Sequence, residues 1–230
     1  MPTLTFHGHS CFLLEHDGKR VIIDPFLSGN PKADIPAAKI PHLDAVLVTH
    51  GHADHLGDAV ALAKTHGATL VAPYELALYC GDRGVEDTHA MHIGGAHDFP
   101  FGRVKLTIAV HGSGYPTEHG ILYMGNPCGF LVMAEGKTIY HAGDTGIFYD
   151  MKLIGEMNRI DVALLPIGGN FTMDADDAVK AAELLGAALS VPMHYDTFDV
   201  IRADPDAFVR KASAKGLRAK VLGVGETLAV

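Results

Sequence analysis

Short, dense apolar runs separated by turn residues dominate this chain, and in two places the periodicity passes from strand to helix and back. Cys11–His16 and Lys19–Ile23 flank Asp17-Gly18, a pair suited to a tight hairpin turn. Val46–Thr49 reads as a buried strand. Leu56–His66 has apolar residues at helical spacing and stops at Gly67, after which Thr69–Ala72 returns to strand character. The series recurs downstream. Phe130–Ala134 and Thr138–His141 form a hairpin about Glu135-Gly136, followed by a strand over Val162–Leu165, a helix over Ala175–Leu185 and a strand over Leu189–Met193. Arg103–Val110 alternates as a further strand. The segments 25–41 and 111–127 carry Pro, Gly and Ser and read as functional loops rather than linkers.

The recurrence extends to residue identity. Asp58-Ala59-Val60, Ala63, Gly67-Ala68, Leu70 and Pro73 return as Asp177-Ala178-Val179, Ala182, Gly186-Ala187, Leu189 and Pro192 at a constant offset of 119. Phe12-Leu13, Gly18-Lys19 and Val21 match Phe130-Leu131, Gly136-Lys137 and Ile139 at an offset of 118, and Asp44–Val48 is echoed by Asp161–Leu165. Three blocks in one order predict a single domain over residues 1–230 built from two related halves, about 1–118 and 119–230. Two sheets that each carry helices on one face bury their apolar surfaces by packing together. The expected fold is therefore an α/β four-layer αββα sandwich.

Composition narrows the function. A net charge of −9 argues against a nucleic-acid binder that relies on a basic surface. No apolar stretch reaches the roughly 18 residues of a membrane span. The N-terminal segment lacks a basic region followed by an apolar run, so no secretory signal is expected. Three widely spaced cysteines, Cys11, Cys80 and Cys128, fit free thiols in a reducing cytoplasm. Fifteen histidines, in a chain of otherwise ordinary charge, raise the question of metal binding.

The answer concentrates in His50-Gly51-His52-Ala53-Asp54-His55, between a predicted strand and a predicted helix. Four ligand-type side chains within six positions can reach two metal ions, and Gly51 and Ala53 leave room for the backbone to turn around them. In the second half the corresponding positions are Ile167-Gly168-Gly169, so the ligand cluster belongs to the first half.

This motif resembles the His-x-His-x-Asp-His signature of the metallo-β-lactamase superfamily. The resemblance covers nearly the whole chain through Asp24, His111, Asp144 in His141-Ala142-Gly143-Asp144-Thr145, and His194, in the family's order. Gly8-His9-Ser10, Asp24-Pro25-Phe26, Gly125-Asn126-Pro127 and Pro192-Met193-His194-Tyr195 look like its compact metal-dependent hydrolase branch, similar to the ascorbate-6-phosphate lactonase-like proteins. What it implies is one ion on His50, His52 and His111, and a second on Asp54, His55 and His194, bridged by Asp144. The metals would be divalent transition ions, zinc foremost and manganese or iron admitted by the same donors. The implied enzyme is a binuclear hydrolase that uses hydroxide shared between the metals on a small ester, lactone, thioester or phosphodiester, with Asp54 also able to hold the proton of the attacking water. The alternative is a non-catalytic metal-binding module that retains the fold.

Around the ligands, Asp24, His9 and His141 are expected to support them, and Asn126, Asn170, Phe171 and Tyr195 to line the substrate. His111 is preferred over the His89–His97 run as the third histidine ligand, and Cys128 reads as a packing residue. Segment 112–127 contains no Lys or Arg, and 25–41 offers Lys32 and Lys39. The expected partner is thus a small molecule with one anionic group held by the metals, with no nucleic acid and no membrane; a homo-oligomer is compatible with this reading.

Overall fold

A computed structural model describes all residues 1–230. The N-terminal part runs β1 (Thr3–Phe6), β2 (Phe12–His16), β3 (Lys19–Ile23), β4 (Ala45–Leu47), α1 (Ala53–Leu56), α2 (Ala59–His66), β5 (Thr69–Pro73), α3 (Tyr74–Asp82) and β6 (Thr88–Met91). Then follow β7 (Ala96–Phe99), β8 (Gly102–Ile108), β9 (Gly114–Thr117), β10 (Gly120–Tyr123), β11 (Cys128–Ala134) and β12 (Lys137–His141). The chain closes with α4 (Met151–Met157), β13 (Val162–Pro166), α5 (Ala175–Leu185), β14 (Leu189–Met193), α6 (Pro205–Ala214) and β15 (Thr227–Ala229).

Two sheets result, one ordered β15-β1-β2-β3-β4-β5-β6 and the other β14-β13-β12-β11-β8-β7. The fold is the expected αββα sandwich, and alternation along the strands shows why. Val21, Ile23, Ala45 and Leu47 point into the large core shared with the second sheet. Their neighbours Ile22, Val46 and Val48 join Leu62, Leu76 and Ala77 in a separate core under α2 and α3. A strand buried on both faces has no polar face to show, which is why it reads as a continuous apolar run.

Local geometry matches between the two halves. The hairpins share one register, with Phe12 opposite Ile23 and Phe130 opposite His141. Their turns place Asp17 and Glu135 at φ of 44° and 49°. Asp44 accepts from Lys19 Nζ and the Arg20 amide, as Asp161 accepts from Lys137 Nζ and the Thr138 amide. Both α2 and α5 end on a left-handed glycine, Gly67 and Gly186. The sheets do not divide at residue 118, however: β7 and β8 pair into the second sheet and β15 into the first.

Several boundaries differ from expectation. The helix over Leu56–His66 is two helices, because Gly57 turns the chain at φ 39° and ψ −120°. Strands β4 and β8 stop at Leu47 and Ile108, short of the ligands they lead to. The 111–127 segment is not a plain loop but holds the β9–β10 ribbon, which pairs with neither sheet. The 25–41 loop is pinned to the start of α2, where Asp58 accepts from the Leu27 and Ser28 amides.

On the outer face of the second sheet, Gly155 of α4 lies against the Leu185 carbonyl at the end of α5, where a Cβ would collide with backbone. Gly155→Ala is expected to push the two helices apart and cost about 1–3 kcal/mol. A thermal melt of the metal-free chain checks this, and an unchanged midpoint would refute the packing account.

Candidate metal centre

The ligand-type side chains gather where strands of both sheets end. After β4, the Thr49–His52 turn carries His50 and His52 to the N-terminus of α1, whose first turn holds Asp54 and His55. His111 follows β8, Asp144 follows β12 and His194 follows β14. Gly51 serves a different purpose from the tight turn expected of it. Its φ is not positive, but a side chain there would run into Met124, which packs against it at the base of the ribbon. The Gly51 amide donates to Ser113 Oγ at 3.0 Å, fastening the loop to that ribbon.

The ring atoms His50 Nε2, His52 Nδ1 and His111 Nε2 converge, with separations of 3.0 Å and 3.3 Å about His52. A second group brings together Asp54, His55 and His194, with His9 beside them. Asp144 lies between the two. Its carboxylate is 3.5 Å from His111 Nε2, 3.3 Å from His55 Nε2 and 2.9 Å from His194 Nε2. All seven residues are thus brought into one cluster. His50, His55, Asp144 and His194 are buried, while His52, Asp54 and His111 are partly exposed and mark the open side.

Asp24 fixes how two of the rings present themselves. It is fully buried, at a left-handed φ of 47°, and accepts from the Thr49 amide at 2.8 Å and the Thr49 hydroxyl at 2.6 Å. It also accepts from His55 Nδ1 at 2.8 Å. Because the Thr49 hydrogen goes to Asp24, the 2.9 Å contact between Thr49 Oγ1 and His50 Nδ1 is a donation from the ring. Both His50 and His55 therefore carry hydrogen on Nδ1 and turn Nε2 toward the centre.

Electrostatics follow from burial and these neighbours. Burial holds His50 well below its ordinary pKa, helped by His55. For His55 burial acts in the same sense but is outweighed by Asp144 and Asp24, which raise it. Asp144 is held well below the carboxylate range: burial opposes its ionisation, and His55 and His194 overcome that. Burial takes His9 down to about 4 despite its bond to Asp54, so its ring is neutral near pH 7.

His141 touches no ligand side chain. Its Nε2 donates to the Ser10 carbonyl and its Nδ1 accepts from the Gly143 amide, so it braces the backbone beside His9 and Asp144. The four residues expected to line a substrate differ in their surroundings. Tyr195 packs on the large core, where burial pushes its phenol up to about 12. Asn126 accepts from the Tyr123 hydroxyl, and Asn170 and Phe171 are exposed in the turn before α5 without contact to a ligand. In that turn Gly168 lets the backbone press against the His194 carbonyl. Phe26 and Phe198 also lie beside the centre, each with its ring centroid 5.7 Å from that of His9. Phe26 sits in the Asp24-Pro25-Phe26 segment, which was a readable signal; Phe198 and Thr197 had none. His89 and His97 lie with their rings 4.3 Å apart and tilted by 36°, beside Phe99, and take no part in the cluster. All three cysteines are buried, which raises Cys80 to about 12 and the other two well above their usual value, so none is a nucleophile.

Comparison with known proteins agrees with this geometry. Residues 3–194 match the β-lactamase superfamily domain model. A UPF0173 metal-dependent hydrolase of Bacillus mycoides is 54% identical over 230 residues, 99% of each chain. Another from Geobacillus is 59% identical over 207 residues, 90% of this chain and 91% of the relative. Among solved structures, a metallo hydrolase from the archaeon Ignicoccus hospitalis superposes with a TM-score of 0.90 at 38% identity, covering 99% of this chain and 97% of the other.

Proposed function

Because the chain belongs to the β-lactamase superfamily and, within it, to the UPF0173 metal-dependent hydrolases, we propose that it is a binuclear hydrolase of a small ester, lactone, thioester or phosphodiester. The observation that carries this is a set of buried donor atoms converging without hydrogen bonds. His55 Nε2, His194 Nε2 and Asp144 Oδ1 are all shielded from solvent and make no well-aligned hydrogen bond, although both rings lie within 3.3 Å of the Asp144 carboxylate. A folded chain does not leave such atoms facing one another at no benefit, since each costs about 1–3 kcal/mol. Imidazole nitrogens and carboxylates suit zinc, and equally manganese or iron. His50, His52 and His111 would hold one ion, Asp54, His55 and His194 the other, and Asp144 both.

When bound, such ions make water nucleophilic near neutral pH and polarise the electrophile. The chain's own residues supply the rest. Asp24 and Thr49 keep the two buried rings in the required tautomer. Asp54, its side chain 28% exposed at the open side, is the carboxylate placed to take a proton from the attacking water. Phe26 and Phe198 offer an apolar wall to a compact organic group, and the absence of Lys and Arg from 112–127 leaves anion binding to the metals.

Chain reconstituted with excess zinc, manganese or ferrous iron should hold two ions by elemental analysis and hydrolyse at least one of four generic probes. These are a nitrophenyl ester, a lactone, an acyl thioester and bis(nitrophenyl) phosphate. One ion or fewer rejects the binuclear reading. Two ions without hydrolysis of any probe above the metal-free chain favours a metal-binding module.

A further inference from the structure

We propose that His9 is the positioning residue of the second metal site, holding the Asp54 carboxylate through a Thr197–His9–Asp54 hydrogen-bond chain; this rests on the binuclear reading above. Asp54 needs such support. It projects from α1, a helix of four residues, and its only side-chain hydrogen bond within the protein is the one to His9. The other ligands of its group are constrained differently, His55 by Asp24 and His194 by its burial against His9, with ring centroids 4.1 Å apart.

His9 is built to stay in place. Its side chain has no exposure, its backbone is left-handed at φ 58°, and its carbonyl accepts from the His194 amide at 2.7 Å. A non-glycine residue persists in that conformation only where its surroundings dictate it. Both ring nitrogens are engaged, Nε2 at 3.1 Å from Asp54 Oδ2 and Nδ1 at 2.8 Å from Thr197 Oγ1.

The direction of each bond follows from the partners. A carboxylate only accepts, so Nε2 carries the hydrogen and donates to Asp54. The Thr197 hydroxyl lies closer to Nδ1 than to its other acceptor, the Tyr195 carbonyl at 3.4 Å, and donates to the ring. Neither nitrogen retains a lone pair for a cation, although His9 lies in the same group of donor residues as Asp54, His55 and His194. This separates a residue that aims a ligand from one that is a ligand. Phe26 and Phe198 flank the ring with their centroids 6.3 Å apart.

The test uses the full chain and zinc alone, with the affinities of the two ions resolved by chelator competition. His9→Leu should weaken the second ion by about 10–100-fold and leave the first within about twofold. Thr197→Val should weaken the same step by about 3–10-fold. His9→Gln, whose amide can still donate to Asp54, should recover part of the loss. Equal weakening of both ions would indicate structural damage, and loss of the second ion with no recovery in His9→Gln would indicate a ligand; either overturns the proposal. A wild-type chain that binds one ion removes both readings. A wild-type chain that binds two, with variants indistinguishable from it, removes this one alone.

Discussion

Asp144→Ala is expected to abolish hydrolysis and to weaken the binding of both metal ions. Its carboxylate lies within 3.5 Å of donors of both groups, with His111 on one side and His55 and His194 on the other. Removing it takes away a shared ligand and leaves two rings without the charge that orients them. Loss of a metal-dependent step costs several kcal/mol of transition-state stabilisation, so turnover should fall by at least about 10³-fold. His141→Ala offers the contrast. It loosens the backbone at Gly143 and Ser10 but removes no ligand, so a fall of about 10–100-fold is expected with metal content intact. Elemental analysis with steady-state kinetics on both variants decides the matter. An Asp144→Ala chain with two ions and a near-normal rate would show that the bridge is wrongly assigned.

Asp24→Ala is expected to be the most destabilising change near the centre, even in metal-free protein. Three buried donors, the Thr49 amide, the Thr49 hydroxyl and His55 Nδ1, lose their acceptor together. Breaking a buried, charge-assisted network from one side costs about 3–5 kcal/mol. For a chain of this size that lowers the melting temperature by roughly 10 °C. Alanine is also disfavoured at the left-handed backbone of position 24, whereas asparagine tolerates it, so Asp24→Asn isolates the loss of charge from strain. Calorimetry of the metal-free variants measures both effects. A loss below about 1 kcal/mol in Asp24→Ala would refute the role given to Asp24.

Much of this was legible because it is local. The hairpins, the strand–turn–helix units and the His50–His55 cluster depend on residues a few positions apart, and their side-chain patterns state the period directly. α5 was found at its observed ends, since Asp174 caps it and Gly186 terminates it. α3 and α4 were missed because neither begins with a side-chain cap, and α3 starts directly from the strand at Pro73. α6 carries a readable cap in Asp204-Pro205, whose aspartate accepts from the first-turn amides. The surroundings of His9 were the least legible part. Thr197 meets His9 across 188 residues, and Phe198 reaches the same ring. A chain position next to a motif, as at Tyr195, says nothing about which way a side chain turns once a strand has ended.

The β9–β10 ribbon makes part of this molecule exchangeable. Its ladder is closed on itself, Gly120 opposite Thr117 through to Tyr123 opposite Gly114, and neither sheet depends on it for pairing. It can therefore lengthen or shorten by one opposed pair on each strand without disturbing the packed layers, and two such steps restore the original facing of its side chains. Its tip is free to vary, with Glu118, His119 and Ile121 exposed to solvent. Its base is not, because Ser113 and Met124 clasp the Gly51 turn between two ligand histidines. A new ribbon grafted between Ser113 and Met124 would keep the fastening of the Gly51 turn, so that this part of the surface and the ligand cluster can be varied independently in one chain.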